Sequence, residues 1–278
     1  MGYQTVGHEG FVTSWGASGD DCYHLLNTGF QPYSAKLTVT KDPVEITPMV
    51  STGVKSRQSR AGLASWTVDI QGRFPRSSPK LGNQGLITFA GGYVLFLQDF
   101  ELNLDWGALE ITSKNGTGVL WKAYRPGLLQ WGGTYEALGD SGTNFSLPEV
   151  ATGSPSSVTI KLTEEGATDN QFTGSMQIES LGVDIAINQV NKGSYAYTGS
   201  GDLTVVGSSN ILPAGVLSTP AWDSDSDGVP DRSLVFQAAS GRTFTGPAFI
   251  KSVKVTVPTA DFINVTLTAQ GAGALTVA

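Results

Sequence analysis

Apolar and polar residues alternate one for one over long parts of this chain. The stretches KLTVTKDPVEIT (36 to 47), SWTVDIQGRF (65 to 74), YVLFLQDFELNL (93 to 104), LEIT (109 to 112), SVTIKL (157 to 162), SLGVDIAI (180 to 187), SLVFQA (233 to 238) and SVKVTV (252 to 257) share this pattern. A period of two places successive side chains on opposite faces of a strand. Clusters of Gly, Asp, Asn and Ser between the stretches supply turn chemistry. No window carries a 3.6-residue apolar stripe with caps at its ends. The pattern predicts an all-β chain, mainly β with at most short helices, of sandwich or barrel kind.

The alternation also repeats at a larger scale. Lys36 to Trp66 aligns without gaps to Glu101 to Trp131 at an offset of 65, with 11 of 31 positions identical, among them Thr52, Gly53, Val54, Arg60, Gly62, Leu63 and Trp66. We call this element A. Element B, FTGSMQIESLGVDIAINQVNKGSYAYTGSGDLTV (172 to 205), aligns without gaps to 244 to 277 at an offset of 72. Both B copies keep one apolar and one polar face, Leu181, Val183 and Ile185 matching Val253, Val255 and Val257. That is the signature of strands covering a core on one side.

The chain order is therefore A, A, B, B. If one unit is an A with a B, residues 92–206 form a unit inserted within an outer unit of 36–75 plus 233–278. Residues 1–35 then form an N-terminal arm and 207–232 a connector. A single large barrel using all four elements is the alternative.

Composition narrows the function. Net charge is −7 and Gly numbers 35, while charged residues make up 15% of the 278, against about 25% in ordinary globular chains. An acidic chain is not built to hold nucleic acid by counterion release. Poverty in surface charge suits a protein that hides surface against other subunits. No apolar run is long enough for a membrane span and no signal-peptide pattern opens the chain. One cysteine, Cys22, excludes an internal disulfide framework. With two histidines, no G-x-S-x-G elbow and no telling carboxylate pair, no catalytic set stands out, so the chain reads as no enzyme.

The strand LEIT, the segment ending YRPGLLQW, the strand GGTYEAL, and the later FTGSMQIESLGVDIAI and YAYTGSGDLTV together resemble the tail tube proteins (major tail proteins) of long-tailed bacteriophages. The resemblance covers residues 92–206, and 36–75 plus 244–278 more loosely. It implies two tail-tube-like β-sandwich units in one chain, their inner sheets joining into a ring-wide β-barrel. It further implies a trimeric ring with pseudo-sixfold symmetry, stacked into the tube of a virion that is assembled in the host cytoplasm. Its partners would be further copies of itself, a tape measure protein and other tail proteins, with DNA passing through without specific binding and no membrane involved. The family's flanking helix would fall on GDSGTNFSLPEV (139 to 150), a poor helix. By the same analogy residues 47–64 and 112–129 stack the rings, with Thr52, Arg60, Leu63, Thr117, Trp121, Tyr124, Arg125 and Leu128 at the inter-ring contact. Asp69, Glu136, Glu179, Asp184 and Asp202 are candidates for an acidic lumen, or else solvated strand positions.

A rival signal is DSDSDGVPD (223 to 231). Asp223, Asp225, Asp227 and Asp231 around Gly228 match a D-x-D-x-D-G calcium loop, without the bidentate acid at the final position. A structural calcium and a plain acidic turn are both compatible with it, and no cofactor is required. The loop motivates a second reading, a calcium-dependent carbohydrate-binding β-sandwich.

Overall fold

The computed structural model describes residues 12–15, 31–45, 59–74, 82, 85–89, 92–93, 97–112, 121–139, 154–163, 171–185, 190–206, 230–237 and 242–278. In chain order the strands are β1 (Val12–Trp15), β2 (Gln31–Glu45), β3 (Ser59–Arg73), β4 (Leu86–Phe89), β5 (Gly92–Tyr93), β6 (Leu97–Asp105), β7 (Leu109–Glu110) and β8 (Tyr124–Arg125). They continue with β9 (Gln130–Gly139), β10 (Ser156–Lys161), β11 (Gln171–Asp184), β12 (Asn191–Val206), β13 (Ser233–Gln237), β14 (Thr243–Val257), β15 (Asn264–Gly271) and β16 (Thr276–Val277). Every ladder between these strands is antiparallel, and no α-helix occurs among the described residues. The expected helix position, 139–150, lies almost wholly outside them.

The main path runs β2-β3-β15-β14-β6-β9-β12-β11-β10-β4-β5, with β13, β1 and β16 joined through the first half of β14. Its middle contains one arrangement twice. β2-β3-β15-β14 is followed by β6-β9-β12-β11, and the registers superimpose under the sequence offsets. Leu37 faces Val68 as Leu102 faces Gly133. Leu267 faces Ile70 as Tyr195 faces Tyr135. Even the register slip is shared, falling between Ile178 and Ser180 on β11 and between Ile250 and Ser252 on β14. The repetition extends to strands the alignment did not reach, since β13 lies on the first half of β14 as β10 lies on the first half of β11.

Alternation sets the core. On β3 Trp66, Val68 and Ile70 are buried, and on β15 Val265, Leu267 and Ala269 meet them. The glycine pairs of element B find their explanation here. Trp131 lies over Gly199, where an added Cβ would meet the indole at 2.0 Å, and its Nε1–H donates to the Gly201 carbonyl at 3.0 Å. Trp66 repeats this over Gly271, donating to the Gly273 carbonyl at 2.9 Å. Gly201 also sits at φ +78°, a conformation that favours glycine. Each terminal Trp of an A copy is thereby locked to the Gly-x-Gly of one B copy.

One expectation is corrected. The inner sheets do not join into a ring-wide β-barrel: no sheet closes on itself, and the path is open from β2 to β5. Closure needs two edge strands to pair, and within the chain β2 and β11 stand at opposite ends of the repeated eight-strand run. The almost all-β, antiparallel character stands without that closure.

Candidate assembly interface

The two copies of the four-strand arrangement meet where β14 pairs with β6. The ladder runs from Ser252 opposite Asp105 to Val257 opposite Phe100. On one face Val253, Val255 and Val257 stand beside Leu104, Leu102 and Phe100, all buried. Burial of each such side chain contributes about 1.5–3 kcal/mol. On the other face Lys254 Nζ lies 2.8 Å from Glu101 Oε2 in a half-exposed pair, a kind worth less than about 1 kcal/mol. The apolar row therefore carries the joint, and the ion pair helps set its register.

A third strand secures this ladder from the side. Tyr197 on β12 reaches over Gly133 of β9 and donates its hydroxyl hydrogen to the Glu101 carbonyl at 2.7 Å. A Cβ on Gly133 would stand 2.0 Å from that same carbonyl oxygen. Burial pushes the Tyr197 phenol above its ordinary range, and the Glu101 carboxylate adds to the shift.

The segment after β6 clamps the joint. β7 and β8 form a two-stranded ribbon, and just before β8 Trp121 makes a parallel bridge to Ala64 on β3. The Lys122 amide donates to the Ala64 carbonyl at 2.7 Å. Since β14 and β15 separate β3 from β6 in the sheet, this segment spans the whole joint. The Lys122 ammonium pairs with Asp42 of β2 and with Glu110 of β7. Asp42 foremost, with Glu110 adding to it, holds Lys122 above the usual lysine range against the opposing effect of desolvation.

Of the residues expected at an inter-ring contact, Thr52 and Thr117 lie outside the described residues. Arg60 stands on β3 opposite Val44. Leu63 is half-buried, Arg125 is exposed, and Trp121 and Tyr124 pack against the core. Leu128 is 90% exposed, at the rim of a groove lined by Leu129, Trp131, Gly199 and Leu203.

Four of the five lumen candidates share the polar face of the sheet, and three of them have a hydrogen-bond or ion-pair partner. Asp69 accepts from the Thr268 hydroxyl at 2.9 Å, Glu136 pairs with Lys192, Glu179 accepts from Thr198 and Asp184 stands opposite Lys192. Glu136 raises the Lys192 pKa against desolvation. Asp202 sits apart, exposed and beside the Leu128 groove.

Asp223, Asp225 and Asp227 lie outside the described residues, so only Asp231 of the acidic loop is seen. Among the described residues no group of three or more His, Cys, Asp or Glu side chains converges as for a metal, and no helix is long and apolar enough to cross a membrane.

Lys122 and Glu101 were not singled out from sequence. The A alignment, which sets Glu101 against Lys36, holds the signal for Glu101: a charge reversed between otherwise matching positions.

No family model and no curated protein matches the chain. Solved structures similar to it include two tail or virion particles. One is the tail of an empty gene transfer agent particle, from helical refinement with C6 symmetry, at 14% identity and a TM-score of 0.40. The other is the virion of a native gene transfer agent particle, at 12% identity and a TM-score of 0.38. Each likeness covers 46% of this chain and 99% of the other. The resemblance to tail-particle proteins is distant and one of fold.

Proposed function

We propose that the chain is a non-catalytic structural virion protein that polymerises into stacked rings, forming the tail tube through which phage DNA is ejected. One observation carries this reading. The chain already contains one edge-to-edge joint between two copies of an arrangement, so it has the form of a repeating part. A closed symmetric ring gives every subunit the same contacts.

Two copies per chain make three chains the number that supplies six. The sequence resemblance supports that trimeric ring, stacking through residues 47–64 and 112–129, and a tape measure protein as partner. The net charge of −7 suits a conduit that DNA crosses without specific binding, since each phosphate contact by Lys or Arg adds affinity.

Negative-stain imaging of the purified protein, with and without chelator, tests the proposal. Uniform rings or tubes under both conditions support it. Monomers that bind a glycan array only with calcium overturn it in favour of a carbohydrate-binding module.

A further inference from the structure

We propose that the groove between residues 128–131, at the start of β9, and the last turns of chain in β12 takes an extended peptide of a partner protein in which an aromatic residue is followed by a basic one. This goes beyond the self-assembly reading above and does not depend on it.

The occupant is argued from the other copy of the arrangement. There β15 flanks β3 only as far as Gln270 opposite Thr67, while β2 holds the far side, with Lys41 opposite Ala64. Past the end of the β15 ladder its place beside β3 is taken by the segment before β8. Trp121 bridges Ala64 in parallel, and the Lys122 amide donates to the Ala64 carbonyl at 2.7 Å. Trp121 packs against the core. Ala64 is buried, as are Gln270, Gly271 and Ala272.

The sequence offsets put Leu129 in the place of Ala64, and Thr198, Gly199 and Ser200 in the places of Gln270, Gly271 and Ala272. β12 likewise leaves β9 at Thr198 opposite Gly132, and β6 holds the far side as far as Gln130. Among the described residues no segment takes the position that Trp121 and Lys122 hold in the first copy. Leu129 and Gly199 are only half-buried, and Thr198 and Ser200 are exposed. The result is an open groove of about 930 Å³. Among the described residues no main-chain donor from outside the strands reaches the Leu129 carbonyl, the kind of acceptor that an added extended peptide uses.

The walls name the chemistry of the partner. Leu128, Leu129, Leu203 and Val205 line the groove, and the apolar surface continues to exposed Leu109, whose Cγ lies 3.9 Å from where a Cβ on Gly127 would stand. Continuous exposed apolar surface of this kind marks a contact with another molecule. In the first copy the equivalent position is held by a tryptophan, so an aromatic side chain fits here. Asp202 stands exposed on the rim and has no ion-pair partner among the described residues, so a cation following the ring meets it. A second copy of the chain offers the wrong side chain: the residues aligned with Trp121 and Lys122 are Ser56 and Arg57, and serine brings no ring.

The test titrates the full chain into a fluorescein-labelled peptide with the sequence of residues 118–124, Gly-Val-Leu-Trp-Lys-Ala-Tyr, followed by anisotropy. Saturable binding tighter than about 1 mM is expected, weakened about tenfold when serine replaces the tryptophan of the peptide. Leu128→Glu and Asp202→Lys, both at exposed positions, leave thermal melting unchanged and weaken binding about tenfold and about threefold. No saturable binding, equal binding of the serine peptide, or binding that ignores both variants overturns the proposal. Loss on Leu63→Glu in place of Leu128→Glu also overturns it, because the peptide then sits at Ala64. Tighter binding of the peptide of residues 53–59, Gly-Val-Lys-Ser-Arg-Gln-Ser, overturns it in favour of a second copy. Rings on the grid without peptide binding sink this proposal and leave the tube reading standing.

Discussion

The Tyr197 hydroxyl donates to the Glu101 carbonyl at 2.7 Å, so a residue of β12 fixes the backbone of a strand two places away in the sheet. In the first copy Ala269 and Val68 occupy the positions that Tyr197 and Gly133 hold in the second. Volume has moved from one partner to the other. Tyr197→Phe removes the hydrogen bond and is expected to cost about 1 kcal/mol at pH 7, measured by urea denaturation.

The same contact sets a pH dependence. The folded pKa of Tyr197 is raised by burial, so the unfolded chain loses this proton first. Its contribution is complete below about pH 10, the unfolded value, and declines as pH rises beyond it. Lys122 and Lys192, also raised, lose their contributions in the same direction. The unsubstituted chain should therefore lose stability above about pH 10 more steeply than Tyr197→Phe. Parallel stability curves for the two proteins at alkaline pH would remove Tyr197 as the cause.

Trp131 and Gly199 make a second coupled pair. Gly199→Ala drives a methyl group into the indole and is expected to cost about 1–3 kcal/mol. Combining it with Trp131→Phe should cost less than the sum of the two, because the smaller ring relieves the clash. Gly271→Ala with Trp66→Phe should behave alike. Strict additivity in both cycles counts against the ring-on-glycine contact.

At the internal joint, Val255→Ala should cost about 2 kcal/mol. A double-mutant cycle on Lys254 and Glu101 should return a coupling below about 1 kcal/mol. A larger coupling than the Val255 loss would reverse the ranking of the two faces.

Trp121→Ala is expected to lower chain stability by about 2 kcal/mol, less than for a fully buried Trp, and to shorten assembled tubes on electron-microscope grids. Ser56→Ala, at the equivalent position of the first A copy, should change tube length less. Equal effects on tube length would separate Trp121 from assembly.

Much of the fold was legible because the core lies on one side of each strand. Ser252 to Val257 and Ser65 to Arg73 alternate cleanly and lie in β14 and β3, since each needs only one apolar face. β12 was harder to read, as its Gly193, Gly199 and Gly201 depress strand propensity. Gly199 and Gly201 answer to the indole of Trp131, some 70 residues distant, and local propensity contains no trace of so remote a demand. β1 and β4 were missed because VTSW and LITF do not alternate one for one. At the joint, alternation marked Val253, Val255 and Val257 as apolar, but nothing local says that the covering strand is β6. Lys122 reads as an ordinary loop cation until Asp42 and Glu110 converge on it. Open sheet edges lay beyond sequence reasoning for a similar reason: an edge is defined by the strand that does not come.

The β14–β6 ladder has a consequence for mass action. Contact surfaces held on one polypeptide meet at an effective concentration fixed by their tether, so this seam forms at any dilution. Dilution therefore leaves the two copies of the arrangement together however few chains the cell contains, and only contacts between chains answer to their abundance.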